Sequence, residues 1–362
     1  MQADKKITVV FETSVLAGEH SSRGIGTYAR LLLEHLEGIS EIEVHKSSTM
    51  SKTDTIKPDI IHYPFFDLYF DTLPINPFKN KVVTVHDVIP LIFPEYYKAG
   101  IKGKLRLKKQ KLALRSAAAV ITDSQASKAD IIKHLRIPEH KIHVVYLAAN
   151  PSLRAQDEDI IKRVKYKNKL PDKYILYVGD INYNKNIPQL IKMMKFIEDE
   201  SVTLVCLGRN FTPQEIPEWQ WIETQLALSD VSDRVVFLNN VLTESLDELG
   251  AIYTGAQLYI QPSLYEGFGL PVLEAMQCRT PVVCSRNSSL LEVGGEHVVF
   301  SEPTAEDFAA KVAEVLSWSK TRRDTFIREA YKWSQNFSWD KTAQETATVY
   351  KKVLKLNHEK SE

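Results

Sequence analysis

The stretch AQLYIQPSLYEGFGLPVLEAMQC, residues 256–278, joins an apolar run to a helical pattern through a glycine-rich turn. The apolar run ends at a proline, which predicts a buried strand with a loop at its carboxyl end. Gly267 and Gly269 allow that loop to turn tightly and to approach a ligand closely, and Pro271 suits the first position of a helix. The pattern therefore predicts a helix whose free amides, near residues 268–272, bind an anion such as phosphate.

Two glutamates flank this turn, eight positions apart. Glu266 lies in the predicted loop, and Glu274 lies about one turn into the predicted helix, where it can face the same ligand. A carboxylate there can accept two hydrogen bonds from a ribose diol. Paired glutamates are also typical of glycosidases, although a phosphate site beside them fits that class poorly. On spacing alone, the alternative is a surface glutamate next to one that interacts with the helix dipole.

The rest of the chain alternates short β-branched runs with longer amphipathic ones. This alternation predicts an α/β fold in which helices cover both faces of a parallel sheet. The predicted strands are residues 7–11, 42–46, 59–63, 81–86, 118–122 and 142–146 in the first half, and 174–179, 202–208, 234–238, 256–261, 281–285 and 297–300 in the second. The charge-rich segment 151–172 interrupts the series, and we interpret it as an interdomain connection with a helical piece. The two halves are predicted to form two Rossmann-like doubly wound domains facing across a cleft, with ligands at the carboxyl ends of the strands.

The composition excludes several classes of protein. Among the 362 residues, Lys plus Arg total 46 and Asp plus Glu total 46, so the basic excess of a general nucleic-acid binder is missing. Cys206, Cys278 and Cys284 are too few for a disulfide framework, and no Cys or His pair has zinc-ligand spacing. We therefore expect three core thiols in a reducing compartment, no metal and no nucleic-acid partner.

The amino-terminal residues enter a strand-like run directly, and no stretch approaches the ~18 apolar residues that span a bilayer. We expect a chain without a signal peptide that is cytoplasmic or rests on a membrane surface.

The segment EGFGLPVLEAM, residues 266–276, resembles the signature of retaining glycosyltransferases of family 4, which have the GT-B fold. In that family the first glutamate lies by the donor sugar, the second holds the nucleotide ribose, and the amides between them bind sugar hydroxyls and phosphate. The resemblance assigns the first role to Glu266 and the second to Glu274. It assigns the remaining contacts with the donor to four residues of the turn: Gly267, Phe268, Gly269 and Leu270.

The segment YILYVGDINYNKNIPQLI, residues 174–191, resembles the first strand and loop of the family's nucleotide-binding domain. There a lysine six residues after a glycine neutralises the donor diphosphate, and Gly179 and Lys185 keep this spacing. A solvated loop lysine is the alternative for Lys185.

The family usually adds an arginine beside this glycine or lysine, where this chain has Asp180 and Asn184 instead. Either one cation suffices together with the helix dipole, or another residue substitutes for the arginine. Arg209, which follows the next predicted strand, is our candidate for that substitute.

In the first half, HSSRGIGTYARLL, residues 20–32, places Gly24 and Gly26 at a loop-to-helix junction. A glycine pair is also common at ordinary helix starts. The family, however, has a glycine-rich loop here that reaches toward the diphosphate, so the resemblance implies that both glycines help to bind the donor.

A predicted strand of the first half ends at His86, in VVTVHDVIPLIFPEYY. The family's histidine at this place meets the reacting sugar from the acceptor side, so the resemblance implies the same role for His86. The alternative is a structural pair of His86 with Asp87. Ser124 matches a family serine or threonine, although capping of the following helix explains it fully.

The segment FSWDKTAQETATVYKKVL, residues 337–354, resembles the family's ending, in which the last helix crosses back onto the first domain. Trp339 is then the anchor of the crossing and Tyr350 a packing residue. The resemblance implies an acceptor-binding domain of residues 1–170 plus 338–362 and a donor-binding domain of residues 171–337.

The segment KGKLRLKKQKLALRS, residues 102–116, holds seven basic residues and no acidic one. Its leucines do not form one clean apolar stripe. A solvated helix is one interpretation, and contact with an anionic bilayer or a lipid-diphosphate acceptor is the other.

The resemblance implies a metal-independent retaining hexosyltransferase that uses a nucleoside-diphosphate sugar as donor and needs no cofactor. It further suggests transfer of mannose, from GDP-mannose, to a glycan or lipid-linked acceptor in bacterial surface-polysaccharide assembly, such as lipopolysaccharide. Catalysis would involve His86, Lys185 and Glu266, provided that Lys185, Glu266 and Glu274 converge around one pyrophosphate.

Two other classes are open to the sequence. One is a sugar-nucleotide binder without turnover, acting as partner subunit of another transferase. The other is a two-domain dehydrogenase, which requires the pattern G-x-G-x-x-G; RGIGTYAR breaks it, because Ala29 or Arg30 stands where the third glycine belongs.

Overall fold

The computed structural model describes residues 6–17, 24–48, 56–239 and 245–358. Within these ranges, the strands form two six-stranded sheets in which every pairing is parallel. The first sheet contains β1 Ile7–Glu12, β2 Ile42–Ser47, β3 Ile60–Tyr63, β4 Lys81–Thr84, β5 Ala119–Thr122 and β6 Ile142–Val144. The second contains β7 Lys173–Val178, β8 Val202–Leu207, β9 Val235–Leu238, β10 Leu258–Gln261, β11 Val282–Ser285 and β12 Val299–Ser301. All twelve predicted strands are confirmed.

The strand order of each sheet identifies the point at which a ligand is predicted to bind. The first sheet has the order β2-β1-β3-β4-β5-β6, and the second has β12-β11-β10-β7-β8-β9. Numbered within its own half, the second order is 3-2-1-4-5-6, the dinucleotide-binding arrangement, whereas the first begins 2-1-3-4-5, as in flavodoxin-like sheets. Both sheets are therefore doubly wound, and their strand order reverses between β1 and β3 in the first sheet and between β7 and β10 in the second.

Helices separate most of the strands, as the alternation predicts. They are α1 Gly24–Glu37, α2 Ile89–Ile92, α3 Ile101–Arg115, α4 Gln125–Asp130, α5 Glu158–Asn168, α6 Ile187–Met193, α7 Pro217–Ser229, α8 Leu246–Thr254, α9 Leu270–Gln277, α10 Leu290–Gly294, α11 Ala305–Leu316, α12 Lys320–Ser334 and α13 Trp339–His358. Helix α4 continues into a π-helical turn, Ile131–Leu135. None of the helices in the described ranges combines the length and the apolar character needed to cross a membrane.

The chain divides into two compact units. The first unit comprises Met1–Leu147 and Ser338–Glu362, and the second comprises Ala148–Phe337. Each unit has an apolar core formed by its own sheet and helices. The three cysteines, Cys206, Cys278 and Cys284, are buried and form no disulfide, as expected of core thiols.

The predicted first boundary, at residue 170, differs from the observed one. Residues 148–170 belong to the second unit, although the helical piece predicted there exists as α5. Its charges suggested a solvated connection, but Lys167 and Asn168 donate hydrogen bonds of 2.9 and 2.7 Å to Glu248 on α8. The segment is thus held to the second unit by specific polar contacts, and Leu153 is fully buried there.

The carboxyl-terminal helix α13 belongs to the first unit, as the crossing helix predicts. Trp339 is 3% exposed and its ring lies 6.0 Å from that of Tyr28. Tyr350 does more than pack, because its hydroxyl lies 2.6 Å from Nδ1 of His62. Burial, followed by the charge of His86, lowers the pKa of His62 to about 3, so this ring is a neutral hydrogen-bonding group.

Candidate functional site

The point of strand reversal in the second sheet carries two loops of the predicted site. The loop after β7 contains Lys185, at the end of the 3-10 turn Tyr183–Lys185, and the loop after β10 contains Glu266. Asn184 joins the two loops: its carbonyl accepts from the Leu264 amide at 2.7 Å, and its side chain donates to the Tyr265 carbonyl at 2.9 Å. Asn184, at one of the two positions where the family usually has an arginine, therefore holds the two loops together.

Lys185 and Glu266 form a close ion pair. Nζ of Lys185 lies 2.7 and 2.8 Å from the two carboxylate oxygens of Glu266. Nε2 of Gln261 and Oγ of Ser263 donate to the same carboxylate at 2.8 and 2.5 Å. The Tyr259 hydroxyl donates in turn to Gln261. Three donors thus fix the carboxylate orientation, with side-chain exposures of 20% for Lys185 and 8% for Glu266.

Glu274 lies on α9 and has a different partner. The Tyr253 hydroxyl donates to Oε2 of Glu274 at 2.8 Å. Burial raises the pKa of Glu274 above its ordinary value, although the hydrogen bond from Tyr253 opposes this. Burial and then the charges of Glu266 and Glu274 raise the pKa of Tyr259, so both carboxylates act on one buried phenol. The structure therefore brings Lys185 and Glu266 into contact, whereas Glu274 bonds to Tyr253, whose ring centre lies 5.6 Å from that of Tyr259.

Glycines shape the backbone of this edge. Gly179 has a φ of +153°, and a Cβ on the neighbouring Gly208 would lie 2.0 Å from the Gly179 carbonyl oxygen. Gly269 has a φ of +105°, and a Cβ there would lie 2.9 Å from Leu290. Side chains at Gly208 and Gly269 would force the loops apart. The need for a glycine at position 208 was not predicted from the sequence.

The turn before α9 differs in detail from the prediction. Helix α9 begins at Leu270 rather than Pro271, and Gly267 and Phe268 before it are buried. Pro271 has no amide hydrogen and the Val272 amide donates to the Gly269 carbonyl at 3.0 Å, so these two residues of the predicted range 268–272 offer nothing to an anion. Within the described residues, the amides of Gly269 and Leu270 have no protein acceptor, and their binding of an anion stays a prediction.

Arg209 follows Gly208 at the carboxyl end of β8 and is exposed. Because β8 is the neighbour of β7, this arginine lies at the same sheet edge as the Lys185 loop. Its role as a substitute for the family arginine stays a prediction.

His86 lies beyond the end of β4 in the first unit and pairs with Asp123, not with Asp87. Its Nδ1 lies 2.7 Å from Oδ2 of Asp123, and its ring stands edge-on to Tyr28 at 4.6 Å. Asp87 instead accepts from the Ile89 amide at 3.0 Å. His86 and Asp123 follow the ends of the adjacent strands β4 and β5, which is why residues 37 positions apart in sequence meet.

The other ring nitrogen of His86, Nε2, is buried. Nε2 makes no hydrogen bond of normal geometry with a described residue, although the Pro64 carbonyl lies near enough to favour protonation of the ring. Burial on its own would lower the pKa of His86, but the charge of Asp123 and their hydrogen bond, followed by the charge of Asp87, outweigh burial and raise it. Asp123 thus orients the ring, and its charge shifts the pKa of His86 upward.

The remaining predicted residues of the first unit are at helix starts. Helix α1 begins at Gly24, and Gly26 is buried in its first turn. Residues 20–23 of the predicted glycine-rich loop lie outside the described residues, so the contact with a diphosphate stays a prediction. Ser124 caps α4 by accepting from the Ser127 amide at 3.0 Å, as predicted.

Glu12 lies at the end of β1, where the strand order of the first sheet reverses, and was not predicted from the sequence. Its Oε1 accepts from the Ser14 amide at 2.7 Å, and burial raises its pKa. The sequence feature that could have identified Glu12 is an acidic residue at the end of an apolar strand. Asp123 and Tyr253 were also missed, because they contact His86 and Glu274 from 37 and 21 positions away in sequence. Gln261 and Ser263 were missed although they lie only five and three positions before Glu266.

We predict that Asp123→Asn lowers the pKa of His86 by roughly 1–3 units, because burial is then no longer offset by a full charge. NMR titration of the ring, assigned with His86→Gln, measures this. Asp87→Asn is the matched control and should shift the pKa of His86 less, since the charge of Asp87 contributes less to it.

The pairing also makes stability depend on pH. Because the pKa of His86 is raised in the folded protein, protonated His86 stabilises the fold below the unfolded pKa of ~6.5, and this contribution is lost as pH rises through the native pKa. The stability deficit of Asp123→Asn should therefore shrink with rising pH, and a larger shift in Asp87→Asn would contradict the pairing.

Comparisons with known proteins agree with this architecture. A family model described as glycosyl transferases group 1 matches residues 157–333, and one described as glycosyltransferase family 4 matches residues 46–153. O-antigen chain mannosyltransferase B of Escherichia coli is 30% identical over 283 residues, which cover 75% of this chain and 70% of that protein. The serotype-specific mannosyltransferase WbdA of Escherichia coli is 28% identical over 341 residues, which cover 90% of this chain but 40% of WbdA.

Solved structures show the same fold. Sucrose-phosphate synthase from Thermosynechococcus elongatus has a TM-score of 0.71 at 19% identity, covering 97% of this chain and 100% of that one. Anabaena HepE in complex with UDP and glucose has a TM-score of 0.70 at 16% identity, covering 96% and 100%. The two doubly wound parallel sheets are the architecture of the GT-B class of glycosyltransferase structures. The chain belongs to glycosyltransferase family 4, which confirms the resemblance and excludes the glycosidase and dehydrogenase alternatives.

Proposed function

We propose that this glycosyltransferase moves a hexose, with mannose as first candidate, from a nucleoside-diphosphate sugar to a glycan or lipid-linked acceptor with retention of configuration. The Lys185–Glu266 pair at the strand reversal of the second sheet is the observation that carries this proposal. Two relatives are mannosyltransferases by name, one of them of the O-antigen chain, which supports mannose and bacterial surface-polysaccharide assembly. The HepE complex with UDP and glucose supports a nucleotide-linked donor.

In this proposal the second unit binds the donor. The ammonium of Lys185 has three hydrogens, and its bonds to Glu266 use at most two, so one remains for the diphosphate. The amides of Gly269 and Leu270 supply further positive potential at the start of α9. Glu274 accepts hydrogen bonds from the ribose hydroxyls, and Arg209 is the second cation at the same edge.

Bond breaking at the anomeric carbon leaves negative charge on the departing diphosphate and positive charge on the sugar. Lys185 and the α9 amides stabilise the former, and the oriented carboxylate of Glu266 stabilises the latter. The acceptor hydroxyl attacks from the side that the diphosphate leaves, and the donor phosphate takes its proton. These groups supply the charge stabilisation themselves, so the proposal requires no covalent nucleophile, no metal ion and no cofactor.

The first unit is proposed to bind the acceptor. His86, oriented by Asp123 through Nδ1, is the proposed contact for a hydroxyl of the reacting sugars. We place the reaction in the cytoplasm, at the inner face of the membrane where a lipid-linked acceptor is available.

A donor panel tests this function. Melting temperatures in the presence of GDP, UDP, ADP and dTDP sugars identify the donor, because ligands of the folded state raise the midpoint. Transfer of radiolabelled sugar to cell-envelope acceptors is then measured with that donor. Transfer with retained configuration is expected. The alternative, a non-catalytic partner subunit of another transferase, would show tight nucleotide binding with neither transfer nor donor hydrolysis.

We predict that Glu274→Gln weakens binding of the nucleotide and stabilises the free protein at neutral pH. The amide accepts fewer hydrogen bonds from a ribose diol, but it also removes a buried charge. A raised native pKa means that ionising Glu274 costs stability as pH rises from its ordinary pKa of ~4.3 through its native value, so the stabilisation by glutamine should vanish at acid pH. Calorimetric affinity and melting curves at several pH values measure both effects. Unchanged nucleotide affinity would remove Glu274 from the donor site.

A further inference from the structure

Tyr28, on helix α1, lies edge-on to the ring of His86. The two ring centres are 4.6 Å apart and the ring planes meet at 88°, which is a favoured geometry for an aromatic pair. Asp123 bonds to His86 at Nδ1, and a single hydrogen bond lets an imidazole rotate about the axis of that bond. The contact with Tyr28 supplies a second constraint, because it opposes this rotation.

The hydroxyl of Tyr28 begins a series of buried hydrogen bonds that ends on helix α13. It lies 3.0 Å from Oγ1 of Thr84. Nε2 of His62 lies 2.9 Å from the same Oγ1, and Nδ1 of His62 lies 2.6 Å from the hydroxyl of Tyr350. The four side chains come from α1, β4, β3 and α13, and none is more than 2% exposed. We call these four residues the Tyr28–Tyr350 network.

The network has the hydrogens that its bonds need. The neutral ring of His62 has one N–H and one bare nitrogen, so it donates to one neighbouring hydroxyl and accepts from the other. Thr84 has one hydrogen and two lone pairs, which serve both His62 and Tyr28. Burial raises the pKa of Tyr28 and that of Tyr350, so both phenols keep their hydrogens. A buried network that is fully satisfied favours a single arrangement of its members.

Helix α13 also contacts Tyr28 directly. The ring of Trp339, in the first turn of α13, lies 6.0 Å from that of Tyr28, and Trp339 is 3% exposed. Trp339 and Tyr350 lie 11 positions apart, close to three full turns, so both project from about the same side of the helix. One side of α13 therefore holds Tyr28 at its ring and, by way of the network, at its hydroxyl.

The network adds no charge beside His86. Burial and then the charge of His86 lower the pKa of His62 to about 3, so His62 is neutral. A second imidazolium at that place would repel a proton on His86. The charges that shift the pKa of His86 are those of Asp123 and Asp87, and both raise it. The network thus constrains the geometry of His86 and leaves its charge to the two carboxylates.

We propose that Tyr28 is a positioning residue for His86. Helix α13 holds Tyr28 in place through Trp339 and through the hydrogen bonds that end at Tyr350. A cluster that served stability alone would not need four buried polar groups, because apolar residues of the same shape can pack there with little loss. This inference rests on the proposed contact of His86 with the reacting sugars, but the orientation of the ring can be measured without turnover.

NMR of the His86 ring in the full chain tests the proposal, with assignment by His86→Gln. Tyr350→Phe removes the far end of the network and keeps the aromatic ring. Thr84→Val removes the centre of the network with little change of shape. In both variants the ring-proton signals of His86 should shift, because the ring-current effect of Tyr28 depends on the geometry of the pair.

Tyr174→Phe is the matched control for Tyr350→Phe. The Tyr174 hydroxyl donates to the Ile252 carbonyl at 2.6 Å, and Tyr174 is as fully buried as Tyr350 but lies in the second unit. The two variants should lower the melting temperature by similar amounts, and Tyr174→Phe should leave the His86 signals unchanged. A shift in Tyr350→Phe is then not a consequence of lower stability.

Turnover with the identified donor is the second readout. Tyr350→Phe should lower kcat on the order of 10-fold, and Tyr28→Leu, which removes the ring itself, on the order of 100-fold. The nucleotide affinity should not change, because the donor is proposed to bind to the second unit. In the His86→Gln background Tyr350→Phe should cause no further loss, since residues that act through one another are not additive.

Unchanged His86 signals in both Tyr350→Phe and Thr84→Val would overturn the proposal. If His86→Gln lowers turnover, an undiminished loss from Tyr350→Phe in that background would overturn it as well. Wild-type turnover of His86→Gln, together with shifted signals in Tyr350→Phe, would confirm that the network positions the ring and would contradict the proposed role of His86. The two failures are therefore distinguishable.

Discussion

Replacing Lys185 by methionine is expected to lower kcat on the order of 100- to 1,000-fold, the effect of removing one fixed group that stabilises transition-state charge. Methionine keeps the length of the side chain and removes only the ammonium. In the proposed reaction this ammonium faces the diphosphate as it leaves and gains charge. The affinity for the nucleoside diphosphate should fall as well, because the product retains the same charge. Initial rates with the identified donor and calorimetry with the free nucleotide measure the two effects.

Lys192→Met is the matched control for this variant. Lys192 lies on α6, directly after the Lys185 loop, and forms a 2.8 Å ion pair with Glu306 that is open to solvent. Exposed ion pairs contribute ~0–1 kcal/mol, so neither rate nor stability should change much. An unchanged rate in Lys185→Met would place the diphosphate elsewhere. Equal losses in both variants would show that the effect is not specific to the site.

Glu266→Gln is expected to lower kcat by a similar factor, on the order of 100- to 1,000-fold, with little change in nucleotide affinity. Glu266 accepts from Lys185, Gln261 and Ser263, all within 2.8 Å. Glutamine replaces one acceptor oxygen with a donor group, and it removes the negative charge that favours a cationic sugar. Because the diphosphate is bound by other groups, the loss should appear mainly in turnover.

Substitution of a glutamate elsewhere in the second unit separates an effect on turnover from an effect on stability. Glu248 is 8% exposed and accepts from Lys167 and Asn168 at 2.9 and 2.7 Å, so Glu248→Gln disturbs a comparable ion pair outside the site. It should lower the melting temperature about as much as Glu266→Gln does but leave kcat near wild type. A similar loss of turnover at Glu248 would mean that folding, not chemistry, explains both results.

The turnover of the double variant Lys185→Met/Glu266→Gln tests whether the two side chains act on the same step. Residues in direct contact usually show non-additive effects. If the two side chains serve the same transition state, the double variant should lose less than the product of the single losses. Recovery of wild-type turnover in the double variant would show that the pair is only structural.

The motif residues of the second unit were predictable because their spacing is local. The segment 266–276 places a loop, a turn and the start of a helix in one order, and a strand before it sends them to the carboxyl edge of a parallel sheet. Lys185 was predictable for the same reason, because it follows Gly179 by six residues in the loop directly after a strand. Tyr253, which donates to Glu274, was not predictable, because the two residues lie 21 positions apart in sequence. Gln261 lies only five positions before Glu266, so its contact was missed despite local spacing.

The pairing of His86 shows the same limit. Asp87 was the neighbour in sequence, but consecutive residues point away from each other at a strand end. Asp123 directly follows the adjacent strand β5, and its Oδ2 lies 2.7 Å from Nδ1 of the His86 ring. The choice between the two carboxylates is a consequence of strand order, and strand order is a property of the whole sheet.

The amino-acid sequence by itself determined the two α/β halves, the twelve strands, the family and the positions of Lys185, Glu266, Glu274 and His86, because periodicity and short motifs are local properties of a chain. Only the tertiary structure decided which carboxylate orients His86, that residues 148–170 join the second unit, and which leucines of α3 are buried. These depend on contacts between residues far apart in sequence. Their free energies come from burial and pairing in the folded state, which local spacing does not specify.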